Sequence, residues 1–172
     1  MRPVSASISI DLPRERVFDF LCDLAARPAF TDHFLADYRL QRIDPVGEGA
    51  AARFRLRESG EWLDTAIELI ERPHLIRERG HGGRWNRVPA ITVWELSEGP
   101  AAGGCEVTVT FWTEPSRPVD RLRELAGTAG WFRRHWGRAM TRLKELLESE
   151  RPVERVGVAG GDRLPGPQAG SV

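Results

Sequence analysis

The sequence predicts an α+β domain in which a curved antiparallel sheet of seven strands is wrapped around a long C-terminal helix, with a pocket between them. Three observations carry this. Residues 118–150 place Leu122, Leu125, Ala129, Phe132, Trp136, Met140, Leu143 and Leu147 on one side of a helical cylinder, and so broad an apolar face must lie against something equally apolar. The chain ahead of it alternates apolar and polar residues in separate short segments, the period of strands with one buried face. That alternation is interrupted by helical spacing at one place, just after the first strand.

The length of 172 residues suits a single domain with its own core. With 41% hydrophobic and 29% charged residues the chain reads as globular. Lys plus Arg and Asp plus Glu number 25 each, so no net field draws it toward nucleic acid, and no polynucleotide partner is expected. Cys22 and Cys105 stand far apart without a CxxC or Cys/His cluster, which argues against structural zinc and a disulfide framework. The N-terminus lacks the apolar core of a signal peptide, and no segment reaches the roughly 20 apolar residues of a membrane span. A cytoplasmic protein is expected.

In chain order, Val4, Ala6, Ile8 and Ile10 alternate with Ser5, Ser7, Ser9 and Asp11 to form the first strand. Leu12-Pro13 then starts a helix with proline at its first position, where the missing N–H costs nothing, and Val17, Phe18, Leu21 and Leu24 supply its apolar side. Arg27-Pro28 interrupts it, since the residue before proline is driven from the helical region, and a second short helix follows through Phe30 to His33. Residues 34–44 form the next strand, and Pro45-Val46-Gly47-Glu48-Gly49 a turn.

Residues 50–57 alternate strictly, with Ala52, Phe54 and Leu56 on one face and Arg53, Arg55 and Arg57 on the other. The arginines read as a solvated outer face paired with Asp64 and Glu68 of the following strand, residues 62–71, whose inward set is Leu63, Ile67 and Leu69. Strands over 75–81, 90–97 and 106–113 complete the sheet, the first ambiguous in phase because Arg77, Glu78 and Arg79 are adjacent. Gly82-Gly83-Arg84-Trp85-Asn86-Arg87 and residues 99–104 join them as loops, and Val107, Val109 and Phe111 face inward. From residue 151 the chain is rich in Gly and Pro with almost no large apolar residue, and is expected to be a disordered tail to a domain of residues 1–150.

This order of elements resembles the START-like, or SRPBCC, superfamily, and within it the polyketide cyclase/dehydrase-type and coenzyme Q-binding-type proteins. The matching features are Val4-Ser5-Ala6-Ser7-Ile8-Ser9-Ile10 with Leu12-Pro13 and Val17-Phe18-Asp19-Phe20-Leu21, then Trp94-Glu95-Leu96, Gly104-Cys105-Glu106-Val107-Thr108-Val109-Thr110 and the closing Leu143-Lys144-Glu145-Leu146-Leu147-Glu148. It spans residues 4–149. The resemblance implies a helix-grip fold, two short helices closing one end, and an apolar cavity for a lipid-like or aromatic molecule. It implies no single activity, since members include carriers, cyclases, hydrolases and sensors. No catalytic signature of the family maps onto named positions.

The inward sets assign a hydrophobic pocket to Phe30, Phe34, Phe54, Leu56, Ile67, Trp94, Phe111, Trp131 and Trp136. His33 and His135 are its candidate polar groups. Each also has a structural reading, His33 as a cation at a helix C-terminus and His135 as a hydrogen-bonded residue at the flank of the buried stripe. His81 reads as a rim residue and His74 as part of a turn. No GxGxxG, GxxxxGK[ST], HExxH or GxSxG is present, so no cofactor, metal site or catalytic set is assigned.

Two features of the long helix stand outside that pocket. Arg134, Arg138 and Arg142, flanked by Trp131, read as a solvated face beside Glu145 and Glu148, with peripheral membrane contact as the competing reading. Gly127, Gly130 and Gly137 each cost about 1 kcal/mol relative to Ala inside a helix, which points to a bend or to a close-packed second surface. The expected function is to bind a hydrophobic small molecule, a lipid, quinone or polyketide-like aromatic, as a carrier or sequestering protein. The alternative is a polyketide aromatase/cyclase that moves protons with a pocket histidine or carboxylate. A third reading is a protein-interaction module using the arginine face.

Overall fold

Alternation along the chain builds one seven-stranded sheet in the computed structural model, which describes residues 1–83, 86–119, 127–149 and 152–157. Strand β1 (Val4–Ile10) leads to helices α1 (Arg14–Leu21) and α2 (Pro28–Thr31). Strands β2 (Leu35–Leu40), β3 (Ala51–Leu56), β4 (Trp62–Glu71), β5 (Leu75–Gly82), β6 (Val88–Glu98) and β7 (Cys105–Thr113) follow, and then helix α3 (Thr128–Glu148). The order across the sheet is β1-β7-β6-β5-β4-β3-β2, with every neighbouring pair antiparallel. The sheet curls around α3, which packs on β1 and α2. This is the helix-grip α+β architecture.

The grip follows from two apolar faces. On α3, Phe132, Trp136, Ala139, Met140, Leu143 and Leu147 are buried, the spacing of one helical side. Facing them are Val4, Ile10, Val107, Val109 and Phe111, while on the opposite face of the same strands Ser5 and Ser7 bond the hydroxyls of Thr110 and Thr108 at 2.9 and 2.8 Å. The last turn of α3 is tied to β1: Lys144 Nζ donates to the Ser9 carbonyl at 2.8 Å, and Glu148 accepts from the Asp11 N–H at 2.8 Å. The Asp11 N–H, and then Lys144, hold the Glu148 carboxyl below its ordinary range, and the bond from Lys144 Nζ to Glu148 Oε1 at 2.7 Å holds the ammonium above its own.

Several local expectations are corrected. The expected helix over 118–150 is not continuous, because Gly127 sits at φ +88° and α3 starts at the next residue; Leu122 and Leu125 lie outside the described residues. Gly127 in the left-handed region interrupts the helical path, and a Cβ at Gly130 or Gly137 would meet nothing within 4 Å. Pro13 caps α1 rather than opening it, and α1 ends at Leu21, so Leu24 is buried beyond the helix. Arg27 keeps helical angles, φ −54° and ψ −42°, in the turn that leads to Pro28 at the start of α2. Asp64 stands opposite Arg53 in the strand register, but among the described residues no ion pair joins Asp64 or Glu68 to the β3 arginines: Arg55 bonds Asp37 at 2.7 Å, Arg53 lies 5.2 Å over Trp62, and Glu68 holds Arg77 at 3.1 Å and Arg79 at 3.4 Å.

Two bulges reset the phase of the sheet. An extra residue in β2 between Ala36 and Arg39, with Asp37 at φ +51°, lets Leu35 and Tyr38 share the inner face although they are three apart. A second bulge at Glu68 brings Ile70, instead of Leu69, opposite Ile76. Beyond α3, residues 152–157 run back over the α1–α2 connection, where Val156 N–H donates to the Ala25 carbonyl at 3.0 Å and Arg155 pairs with Asp23 at 3.0 Å. The remainder of the expected tail lies outside the described residues. Among the described residues no helix is long and apolar enough to cross a membrane.

Candidate functional site

Aromatic residues assigned to the pocket largely pack on one another. Phe34 meets the Trp131 and Trp136 rings edge-on at 5.9 and 5.4 Å, Trp94 meets Trp136 at 5.5 Å, and Phe111 meets Phe132 at 4.4 Å. Phe30, Ile67 and Trp94 are fully buried in the core. Among the described residues two adjoining cavities stand out. The larger, about 620 Å³, lies at the end of the sheet between the β3–β4 turn, the β5–β6 hairpin and the first turn of α3. Its apolar walls are Leu56, Leu63, Val88, Ala90, Trp131 and Phe132, and its polar rim includes Glu58, Glu61 and Arg134. The smaller, about 30 Å³, lies deeper, and Leu56, Leu63, Ala90 and Phe132 line both.

Of the sequence-assigned residues, Leu56 and Trp131 line the large chamber. Phe34, Phe54, Leu56, Phe111 and Trp136 line the small one. Phe30, His33, Ile67, Trp94 and His135 line neither. The structure therefore brings the aromatic set together, but places the usable volume beside it, toward the strand ends.

His33 is engaged in a link between helices. Its Nδ1 lies 3.2 Å from Arg142 Nη1 and its Nε2 lies 3.2 Å from the His135 carbonyl. A guanidinium only donates and a carbonyl only accepts, so the ring is the neutral tautomer with its proton on Nε2. Burial, and then the nearby Arg142 and Arg138 charges, push its pKa below the usual histidine value. Arg142 also bonds the Asp32 carboxylate, so it belongs to the α2–α3 contact, and the exposed stripe reduces to Arg134 and Arg138.

His135 has an acidic partner that no local pattern announced. Its Nε2 lies 3.4 Å from Glu58 Oε1, and Trp131 Nε1 donates to Glu58 Oε2, so the carboxylate is held between two α3 side chains one turn apart. The His135 side chain is 14% exposed, and its Nδ1 is buried without a hydrogen-bond partner. Glu58 itself reaches the large chamber. A carboxylate at the rim of a cavity, its side chain 65% exposed, with an imidazole beside it can accept and pass a proton.

The inner wall of the small chamber is polar. Glu78, 2% exposed, accepts from Arg27 Nη2 at 2.7 Å and Trp94 Nε1 at 2.8 Å through Oε1, and from Thr65 Oγ1 at 3.1 Å through Oε2. The Arg27 guanidinium also lies 4.8 Å over the Trp94 ring. Such a pair is tolerated inside a protein only when its charges and lone pairs are matched in this way. Tyr38, stacked on Phe54 at 5.7 Å, turns its hydroxyl toward the same chamber, where burial pushes its pKa up.

Sequence reasoning missed Glu58, Arg27, Glu78, Thr65 and Tyr38. The signals were slight: Arg27 reads as the residue before a proline, and Glu78 is flanked by two outward arginines. The cysteines contribute no nucleophile, for burial pushes Cys22 up to about 11 and raises Cys105. Among the described residues no group of three or more His, Cys, Asp or Glu is placed to hold a metal ion.

Comparison with known proteins follows these features. The model of the family described as polyketide cyclase / dehydrase and lipid transport matches residues 1–148. Among solved structures, the chain is similar to DynU16 from the dynemicin biosynthetic locus, with 21% identity and a TM-score of 0.60 over 91% of this chain and 50% of that one. The chain thus spans half the length of DynU16. It is similar to the KanY protein, with 16% identity and a TM-score of 0.65 over 85% of this chain and 97% of that one. It is also similar to the protein TTHA0849 from Thermus thermophilus, with 18% identity and a TM-score of 0.62 over 87% of this chain and 99% of that one. At these identities the likeness is one of fold. No curated protein matches the sequence.

Proposed function

The chain belongs to the polyketide cyclase/dehydrase and lipid transport family, and on that premise we propose that it binds a hydrophobic small molecule in the chamber between the strand ends and α3. The observation that carries this is the cavity of about 620 Å³ walled by Leu56, Leu63, Val88, Ala90, Trp131 and Phe132. That volume lies in the range of drug-sized ligand sites, and burial there favours apolar molecules by ~25 cal/mol per Å² removed from water. Glu58, Glu61 and Arg134 at the rim keep the entrance wetted. Native mass spectrometry of freshly purified protein, with extraction of any bound compound, tests the reading. A one-to-one complex with an apolar compound is expected, either carried through purification or formed with an added fatty acid, quinone or polycyclic ketone. Protein that arrives empty and takes up none of these overturns it.

One observation favours a second reading, an aromatase/cyclase: Glu58 reaches the chamber with Trp131 and His135 behind it. In that role Glu58 takes a proton from carbon activated by a neighbouring carbonyl, and His135 stabilises the changing charge. Glu58→Gln is then expected to abolish turnover of an offered poly-β-ketone while ligand affinity is kept. Equal turnover by the variant and the parent excludes the role.

A further inference from the structure

On the outer face of the sheet two arginines stand where repulsion works against the strand pairing. Arg39 of β2 and Arg53 of β3 are exposed and lie directly opposite each other in the antiparallel register, the position at which like charges destabilise a strand pair. The acidic groups around them are committed elsewhere. Asp37 pairs with Arg55 at 2.7 Å, and Glu68 with Arg77 and Arg79. Asp64, opposite Arg53, accepts from the His81 N–H at 2.6 Å and from Asn86 Nδ2 at 2.5 Å, which draws its carboxylate toward β5. Among the described residues no ion pair reaches Arg39 or Arg53.

Repulsion alone would spread two such side chains apart into solvent, yet both converge on one ring. The Arg39 Cζ lies 5.9 Å and the Arg53 Cζ 5.2 Å from the centroid of Trp62, a half-buried residue of β4. A guanidinium over an aromatic ring uses its flat face there and keeps its in-plane fork of N–H groups for an acceptor. Two forks gathered at one indole, with no acid pairing either, match an oxyanion of charge near −2 with several acceptor oxygens. A phosphate monoester carries about −1.5 to −2 at pH 7 and three acceptor oxygens. A carboxylate brings a single charge and two oxygens.

We propose that Arg39 and Arg53, gathered over Trp62, bind a phosphate group on the outer face of the sheet. The site is separate from the chambers, because Ala52 and Leu56 on the other side of β3 are the residues that face the core. It is therefore independent of the hydrophobic-binding reading. The phosphate belongs to a soluble ester or to a lipid headgroup, and the same two forks recognise it in either case. Because both arginines are exposed, the binding weakens as salt screens their charge.

The test titrates the full chain at low salt with inorganic phosphate, and with acetate for comparison, following the Trp62 indole N–H resonance identified by its loss in Trp62→Phe. Phosphate is expected to move that signal to saturation, and acetate to bind more weakly. Arg39→Gln and Arg53→Gln are each expected to weaken phosphate binding roughly tenfold. Arg133→Gln, which removes an exposed charge of α3, is expected to leave it unchanged. Both outer-face substitutions relieve a repulsion at exposed positions, so the variants are expected to stay folded, with thermal midpoints at or above that of the parent in phosphate-free buffer. Sedimentation with phosphatidylcholine vesicles that contain phosphatidic acid, but not with phosphatidylcholine alone, and its loss in Arg39→Gln, would support the site and assign the phosphate to a lipid headgroup. Saturable phosphate binding without sedimentation would support it with a soluble ester. The proposal is overturned by an unmoved Trp62 signal, by equal affinity for acetate, by phosphate affinity that survives in both outer-face variants, or by an equal loss in Arg133→Gln.

Discussion

Arg142 points its guanidinium at His33 Nδ1 from 3.2 Å, so a helix-borne cation fixes the protonation state of a histidine on the neighbouring segment. Protonating that nitrogen would set two positive groups against each other and remove the acceptor of the bond. Burial first, and then this neighbouring charge, hold the folded-state pKa below the ordinary value of 6.5. A base whose pKa is lowered by folding binds fewer protons folded than unfolded in the window between the two values, so stability falls as the pH falls through it. The contribution is whole above the unfolded value and is lost as acid reaches the folded one. Chemical denaturation at a series of pH values from about 7.5 to about 5 is expected to show this decline. His33→Gln, which can still accept and donate but does not titrate, is expected to flatten it. An equal decline in the variant would assign the loss to other groups.

Glu78 and Arg27 give a larger effect. Glu78→Ala strands a guanidinium that is 4% exposed and leaves the Trp94 and Thr65 donors unmet. The expected loss is about 3–5 kcal/mol, the range for a buried charge deprived of its partner. Thr65→Val removes one hydroxyl donor and is expected to cost about 1 kcal/mol. Urea unfolding curves with a common slope measure both. Near-equal costs would mean that the carboxylate is not the hub of the cluster.

The fold was readable because each element carries its own period. The bounds 62–71 coincide with those of β4, and the stripe from Phe132 to Leu147 is buried as its spacing required. The site was less readable, for physical reasons that particular residues make plain. Tyr38 and Ile70 turn inward only because one extra residue in β2 and one in β4 shift the register, and a two-residue period cannot anticipate an insertion. Glu58 lies just past the strand expected over residues 50–57, and its contact with His135 exists only once the β3–β4 turn folds over α3. Gly127 looks like one more helical residue until its φ of +88° ends the pattern.

Glycines on the two sides of the domain should respond in opposite directions. A Cβ on Gly80 would stand 1.9 Å from the Asp64 carbonyl oxygen, backbone that moves only if β4 and β5 separate. Gly80→Ala is therefore expected to destabilise by about 1–3 kcal/mol or more. At Gly130 of α3 a Cβ meets nothing within 4 Å, so Gly130→Ala is expected to stabilise by about 0.4–1 kcal/mol through helix propensity and a less free unfolded chain. Thermal melts of both variants decide the matter, and a shift of the same sign in the two would contradict the packing described.

Ala90 tests whether ligand affinity depends on the passage between the chambers. It is one of four residues lining both, and its partners across the sheet are Gly80 on one side and Thr113 on the other. Ala90→Leu adds three carbons that point into open volume rather than into packed neighbours, so its stability is expected to stay within about 1.5 kcal/mol of the parent. The same carbons fill part of the space that an apolar body would occupy. Affinity for any compound recovered from the purified protein is expected to fall roughly tenfold or more, the equivalent of about 1.4 kcal/mol. Titration calorimetry reads the loss, and an unchanged affinity in a folded variant would place the ligand elsewhere on the molecule.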